Sequence, residues 1–183
     1  SEKTYVVDTK KYSSEAMEHT ETGRITSITE SKIPVWLYGP SGTGKTTIAK
    51  TIADKLKLTF YPMQKITDEF QLTGYRDANG NYHETPLYEA MLNGGLFFID
   101  EIDASVPEAL ILINTLLANG FLSFPNGTLE AHENFRVLVA GNTIGKGGNE
   151  SYIRNKIDSA TLDRFIPIFI DYDEKIELAI TNF

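Results

Sequence analysis

The sequence predicts an α/β fold with a central parallel sheet flanked by helices. Three observations predict it. From Ile33 onward, short apolar runs alternate with longer stretches of helical periodicity. Two of the runs, Leu96-Phe97-Phe98-Ile99 and Phe135-Arg136-Val137-Leu138-Val139-Ala140, lack the polar alternation of a strand exposed on one face, as suits strands covered on both sides. The first run, Ile33-Pro34-Val35-Trp36-Leu37-Tyr38, leads through a glycine-rich octet into a helical stretch. The chain has 183 residues, 41% of them hydrophobic, enough for one domain with a substantial core.

The elements follow in order. Residues 1–32 are polar and weakly patterned; Tyr5-Val6-Val7 reads as a short strand and Tyr12 to Thr20 as a helix, both lying against the domain edge. After the octet, Thr47 to Leu56 carries apolar residues at 48, 49, 52, 53 and 56, one face of a helix. Leu58-Thr59-Phe60-Tyr61 reads as the second strand and Leu96 to Ile99 as the third. Between them, Asp77-Ala78-Asn79-Gly80-Asn81 predicts a hairpin by its Asn-Gly. Ser105-Val106-Pro107-Glu108 has the form of a capping box, opening a helix that stops near Gly120 and buries Leu110, Ile113, Leu116 and Leu117. A second Asn-Gly, at Asn126-Gly127, predicts a hairpin over Phe121 to Glu130. Residues Phe135 to Ala140 form the fourth strand and Phe165 to Ile170 the last, where Pro167 predicts an edge position.

Composition excludes several function classes. There is no cysteine, so disulfides and Cys-based zinc sites are out, and a reducing, cytoplasmic setting is expected. His19, His83 and His132 are scattered without metal-ligand spacing. No run reaches the ~18 apolar residues of a membrane span, and the N-terminal Ser1-Glu2-Lys3-Thr4 lacks an apolar signal region. The net charge of −8 disfavours nucleic acid as a bulk electrostatic partner.

The octet carries the chemistry. Gly39-Pro40-Ser41-Gly42-Thr43-Gly44-Lys45-Thr46 fits Gly-x-x-x-x-Gly-Lys-[Ser/Thr] at every fixed position, in the strand–loop–helix context a phosphate-binding loop requires. Glycines let successive backbone N–H groups turn inward toward phosphate oxygens, and the helix dipole adds to that field. Lys45 is placed to reach the β- and γ-phosphates of a nucleoside triphosphate, and the Thr46 hydroxyl to ligate Mg²⁺.

Three further positions complete a hydrolysis site. Asp100 ends the third strand, where a carboxylate can hold Mg²⁺ and its water shell, and Glu101 beside it can polarise the attacking water. Asn142 follows the fourth strand, where its amide can bond the γ-phosphate or that water. Arginine stabilises the charge that builds on a transferring phosphoryl group; Arg164, just before the last strand, is the first candidate and Arg154 the second.

Together, Gly39–Thr46, Phe97–Glu101, Asn142 and Leu162-Asp163-Arg164-Phe165 resemble an AAA+ ATPase. The two hairpins, one before the Asp-Glu strand and one before the Asn142 strand, resemble those of the MoxR and dynein-related group, and of its phage-associated CobS-like members in particular. The resemblance implies a P-loop NTPase large subdomain over about residues 33–175, with sheet order 5-1-4-3-2. It makes Gly39 to Thr46 the Walker A loop with Thr47 near the α-phosphate, Asp100 and Glu101 Walker B, Asn142 sensor 1, and Arg164 a finger aimed at the next subunit. It implies ATP and Mg²⁺ as ligands, assembly with itself into a hexameric ring, and hairpins at about 74–84 and 121–131 facing the pore or a partner. That partner would be a protein client or a von Willebrand A-type protein. Residues 1–32 would pack on the domain edge near the adenine, and residues 176–183 would begin a helical lid that is otherwise missing.

The expected function is therefore ATP-driven remodelling of a protein client. The alternatives are a nucleic-acid motor or loader, disfavoured by hairpin tips without Lys or Arg, and a nucleotide-binding assembly module without turnover. A small-molecule kinase would need neither Glu101 beside Asp100 nor the asparagine after the next strand.

Overall fold

A computed structural model describes residues 18–143 and 162–173. Five parallel strands form the central sheet: β1 (Val35–Tyr38), β2 (Phe60–Met63), β5 (Gly95–Ile99), β8 (Phe135–Gly141) and β9 (Ile166–Phe169), in the order β2-β5-β8-β1-β9. Counted as five core strands, this is the expected 5-1-4-3-2. Helix α1 (Thr22–Glu30) precedes β1, and between the strands run α2 (Lys45–Leu56), the one-turn α3 (Phe70–Thr73), α4 (Pro86–Asn93) and α5 (Pro107–Asn119). Two antiparallel hairpins stand outside the sheet, β3 (Tyr75–Arg76) with β4 (Tyr82–His83), and β6 (Phe121–Phe124) with β7 (Gly127–Glu130).

Alternate side chains of each buried strand point to opposite faces, so the sheet separates two cores. Trp36, Phe97, Ile99, Val137 and Val139 pack with Leu87 and Met91 of α4 and with Leu110, Ile113 and Leu116 of α5. Val35, Leu37, Phe98, Leu138 and Ala140 pack with Ile25 of α1 and Ile48 and Ile52 of α2. Pro167 lies on the edge strand β9, exposed, where its missing N–H breaks no inner ladder.

The departures from the sequence expectation have local causes. The predicted strand at Tyr5–Val7 lies outside the described residues, as does most of the predicted helix at Tyr12–Thr20; Glu18 to Thr20 are not helical. The helix that covers this edge is α1, which turns Thr22 and Thr29 inward beside Ile25 and packs on α2. The second strand begins two residues later than expected, because α2 ends in a left-handed Lys57 (φ 55°, ψ 39°). Leu58 then folds back, its N–H donating to Ala53 O at 2.9 Å, which spends this residue on the helix terminus.

The predicted capping box at Ser105–Glu108 does not form. Val106 is the N-cap residue of α5 and makes no side-chain cap; Pro107 at the first helical position needs none for its own missing N–H. The Ser105 hydroxyl instead accepts from Ile66 N at 2.9 Å, tying the segment after β2 to the start of α5. The helix ends, as predicted, at a left-handed Gly120. In the second hairpin Phe124 pairs with Gly127, so the connection is Pro125-Asn126 and the glycine belongs to the strand. Helix α4 was not anticipated; Thr85 caps it, accepting from Tyr88 N at 3.2 Å while donating to Leu72 O at 2.7 Å.

The first hairpin turns around Asp77. Its carboxylate accepts from the N–H of Asn79 and Asn81, both at 2.9 Å, from Asn81 Nδ2 and from the His83 ring. The hydrogen bonds from Asn81, backbone then side chain, followed by His83, hold its pKa down at about 2 against 3.8. A depressed pKa stabilises the turn above the ordinary carboxylate range, and that stability is lost as pH falls through about 2. The amide resonances of Asn79 and Asn81 are therefore expected to hold their positions through the ordinary carboxylate range and to shift together as pH falls through about 2. In Asp77→Asn this acid transition should vanish.

Candidate nucleotide site

The site lies at the carboxyl ends of β1, β5 and β8, where Tyr38 pairs with Gly141 and Ile99 with Val139. The loop from Gly39 to Gly44 leaves β1 and enters α2, whose N-cap residue is Gly44 in a left-handed conformation (φ 80°, ψ 21°). A glycine cap has no side chain to satisfy the first-turn N–H groups, so these face the adjoining cavity. Gly39 is required for space: a Cβ there would lie 2.0 Å from the carbonyl oxygen of Ile170. Its N–H donates to Gly141 O at 3.3 Å, which fastens the loop to the end of β8.

Lys45 is almost fully buried. Its ammonium donates to Gly39 O at 2.9 Å, Pro40 O at 2.7 Å and Thr43 Oγ1 at 3.4 Å, and Thr43 Oγ1 itself donates to Pro40 O at 3.0 Å. One positive group thus gathers two carbonyls and a hydroxyl of the loop and holds its shape. Thr46 Oγ1 donates to Asp100 Oδ2 at 2.8 Å, joining the start of α2 to the end of β5. The other carboxylate oxygen of Asp100 accepts from Glu101 N at 2.9 Å, and Asp100 N donates to Met63 O at 2.8 Å. Glu101 adopts a left-handed conformation (φ 52°, ψ 40°), rare for a residue with a side chain and placed directly beside the reacting centre of the predicted site.

These residues share one cavity of about 370 Å³. Ser41, Gly42, Gly44, Lys45, Thr46 and Thr47 form its loop side. Asp100, Glu101 and Asn142 face them, so the structure brings together every predicted site residue except Gly39, Pro40, Thr43 and Arg164. Gly39 and Pro40 contribute carbonyls to Lys45 beneath the loop. Arg164 stands apart, exposed, its guanidinium Nε donating to Asn114 Oδ1 of α5. The second arginine candidate, Arg154, lies outside the described residues.

Sequence reasoning missed several contributors. Gln64 lines the cavity from the residue after β2; the shifted strand boundary concealed it. Tyr172 donates its hydroxyl to Ser41 O at 3.0 Å. Together with His19, Thr20, Glu21 and Phe169 it lines a second cavity of about 400 Å³ beside the loop. That cavity is closed by His19 Nε2 bonding Asp171 O and Thr20 N donating to an Asp173 carboxylate oxygen, each at 3.0 Å. Asp103, wholly buried, holds the segment after β8.

The donor set fits a nucleoside triphosphate with Mg²⁺. Inward amides, an ammonium and a helix N-terminus suit phosphate oxygens. A hydroxyl and one carboxylate suit a cation that ordinarily takes few protein ligands beside phosphate oxygens and water. Fold and site together define a nucleotide-binding α/β module of the AAA+ type.

The comparisons with known proteins agree. Residues 34–165 match the AAA domain (dynein-related subfamily), and the chain belongs to that family. Such membership implies ATP and Mg²⁺ as ligands in general. An uncharacterized protein of Staphylococcus epidermidis is 30% identical over 155 residues, covering 75% of this chain and 55% of its own length. One from Staphylococcus aureus is 26% identical over the same span. The chain thus spans about half the length of the curated relatives it matches. Among solved structures, a candidate ATPase of Cytophaga hutchinsonii superposes with a TM-score of 0.69 at 20% identity, over 92% of this chain and 52% of that one. NtrX from Brucella abortus in complex with ADP gives 0.63 at 20% identity, over 91% and 37%. These likenesses are of fold. Among the described residues no helix is long and apolar enough to cross a membrane.

The close approach at Gly39 makes a direct test. Gly39→Ala forces the loop away from β9 and is expected to destabilise the domain by about 2 kcal/mol or more, read from urea unfolding. Gly23→Ala, where a Cβ meets nothing within 4 Å, should show no comparable loss.

Proposed function

We propose that this chain binds ATP with Mg²⁺ and hydrolyses it, acting within an oligomeric ring that remodels a protein client. The observation that carries the reading is the Thr46–Asp100 bond at 2.8 Å, which sets a hydroxyl and a carboxylate side by side at the mouth of the Lys45 loop. Thr46 and Asp100 would hold the metal, whose charge offsets that developing on the phosphoryl oxygens. Lys45 and the amides of 41–47 grip the phosphates, Glu101 orients and polarises water, and Asn142 fixes the water or the γ-phosphate. The cavity beside Tyr172 would take the base, which gives the segment within 1–32 its role at the domain edge. Residues 33–175 would make up the nucleotide-binding subdomain.

Arg164 does not line its own cavity and instead bonds Asn114 of α5 at the surface, which leaves it free to serve as a finger for a neighbouring subunit. The hairpins favour a protein client over nucleic acid. Their tips, Asp77-Ala78-Asn79-Gly80-Asn81 and Pro125-Asn126, carry no Lys or Arg. Arg76, the sole Lys or Arg of either hairpin, spends its guanidinium on Pro125 O at 3.2 Å and Gly80 O at 2.7 Å. The narrower resemblance to CobS-like ATPases, with a von Willebrand A-type partner, belongs to the same reading.

Calorimetry and steady-state kinetics on the full-length protein test it. Lys45→Ala is expected to weaken ATP–Mg²⁺ binding by roughly 10²-fold or more; unchanged affinity removes the loop assignment. Glu101→Gln is expected to bind normally while hydrolysis falls about 10²-fold to 10⁴-fold. Retained turnover in that variant assigns the water to another group.

The subunit arrangement has its own test. Specific activity is expected to rise with protein concentration, Arg164→Ala to lower it by about 10³-fold, and a mixture of Arg164→Ala with Glu101→Gln to regain part of it. A concentration-independent rate with no recovery in the mixture places the whole site within one chain.

A further inference from the structure

The sequence Asp100-Glu101-Ile102-Asp103 contains a third acid that the hydrolytic roles leave unused. Asp103 sits in the 3-10 turn Ile102–Ala104, directly after the left-handed Glu101, and is 0% exposed. Its Oδ2 accepts from Thr143 N at 3.1 Å and from Thr143 Oγ1 at 2.9 Å. On the other side of Asn142, Gly141 leaves room for the same carboxyl group: a Cβ at Gly141 would meet Asp103 Cγ and Oδ1 at 3.0 Å. The remaining polar group of the Thr143 peptide is also held, since the buried Trp36 indole N–H donates to Thr143 O at 3.1 Å. Gly141 O in turn accepts from Gly39 N, the first residue of the phosphate loop.

Asn142 is thus clamped from both flanks. Gly141 is fixed by the loop, Thr143 by Asp103 and Trp36, and the amide between them opens on the cavity that holds Glu101 and Lys45. A side chain at the end of a strand is otherwise free to fray with the segment that follows it, and a displacement of about 1 Å at such a group costs on the order of 10²-fold in rate.

We infer that Asp103 is a positioning residue: its buried carboxyl group fixes the main chain directly after Asn142, and so sets where that amide meets the nucleotide relative to Glu101. The inference deepens the hydrolytic reading and rests on it for its kinetic arm. Its structural arm is independent, because the clamp exists in the nucleotide-free protein. A buried acceptor that pairs twice with one residue is worth about 10-fold to 100-fold when lost.

The test uses the full chain and three variants. In Asp103→Ala without nucleotide, the Thr143 amide is expected to exchange with deuterium at least tenfold faster, read residue by residue by NMR. ATP affinity by calorimetry should stay within threefold of wild type, because the Lys45 cradle is untouched, while kcat falls about 10-fold to 100-fold. Asp103→Ala combined with Asn142→Ala should be no slower than Asn142→Ala alone, since one acts through the other. Asp103→Asn, which keeps an acceptor oxygen, should recover most of the protection and the rate.

Unchanged Thr143 protection in Asp103→Ala overturns the inference, as do rate losses that multiply in the double variant. If Asp103→Ala fails to fold, Thr143→Val removes the hydroxyl from the same clamp with little change in volume. It is then expected to lower kcat at unaltered ATP affinity, and an unchanged kcat overturns the inference. A wild-type protein that turns over no ATP refutes the hydrolytic reading, and Thr143 exchange still decides whether Asp103 holds the segment.

Discussion

The site depends on the parallel alignment of three strands. β1, β5 and β8 end on the same side of the sheet, in a register that sets Tyr38 beside Gly141 and Ile99 beside Val139. In a parallel sheet each strand end is followed by a crossover, so the groups that follow successive strands collect along one edge. Loop, paired acids and asparagine come from positions about 40 to 100 residues apart in sequence, yet meet in one cavity because three strands point the same way. The strand order matters as much. With β8 between β1 and β5, the phosphate loop abuts Gly141 directly through Gly39, and the acids stand one strand further on.

That edge stores conformations a free chain would avoid. Glu101 in the left-handed region costs on the order of 1–2 kcal/mol, and the glycine loop surrenders backbone entropy to hold one shape. Opposing these are the bonds that converge on the same few residues: Lys45 on two loop carbonyls, Thr46 on Asp100, Asp100 on Glu101 N, and Asp100 N on Met63 O. The two large cores beneath supply the stability against which such local costs are borne. For the proposed hydrolysis, an edge braced in this way would leave little reorganisation to be made when charge develops on phosphate oxygens.

What the sequence displayed was whatever has a local signature. The octet, the unbroken apolar runs and the two Asn-Gly turns depend on neighbours within a few residues, and each marks the element it predicts. What it concealed was decided by partners far away. Thr22 and Thr29 are polar letters that face a core, so α1 has almost no apolar period. Ser105 has the composition of a cap, but its hydroxyl is taken by Ile66, 39 residues distant. Asp103 resembles one more solvated acid in a chain of net charge −8 until burial shows otherwise. Gln64 and Tyr172 reach the site only through the crossing of β2 and β9 at the two edges of the sheet.

The two hairpins look separate in sequence, 40 residues apart, but they are one packed body. Tyr82 of the first meets Tyr88 of α4 edge to face at 5.3 Å, and Tyr88 meets Phe124 of the second at 5.0 Å. Arg76 reaches across to Pro125 O, and Asn126 Nδ2 donates to the Tyr88 hydroxyl at 3.0 Å. Tyr82, whose hydroxyl donates to Thr73 O, is buried enough that its pKa is pushed up to about 12, with Tyr88 and Glu84 adding to the effect. Edge-to-face aromatic pairs of this kind contribute about 0.5–1.5 kcal/mol each beyond burial. Helix α5 begins at the turn that carries Asp103 and ends at Gly120, where the second hairpin starts. A single rigid helix therefore separates the acids of the nucleotide site from the hairpins. Tyr88 thus touches a ring of each hairpin, so a shift of either against the sheet is felt by the other.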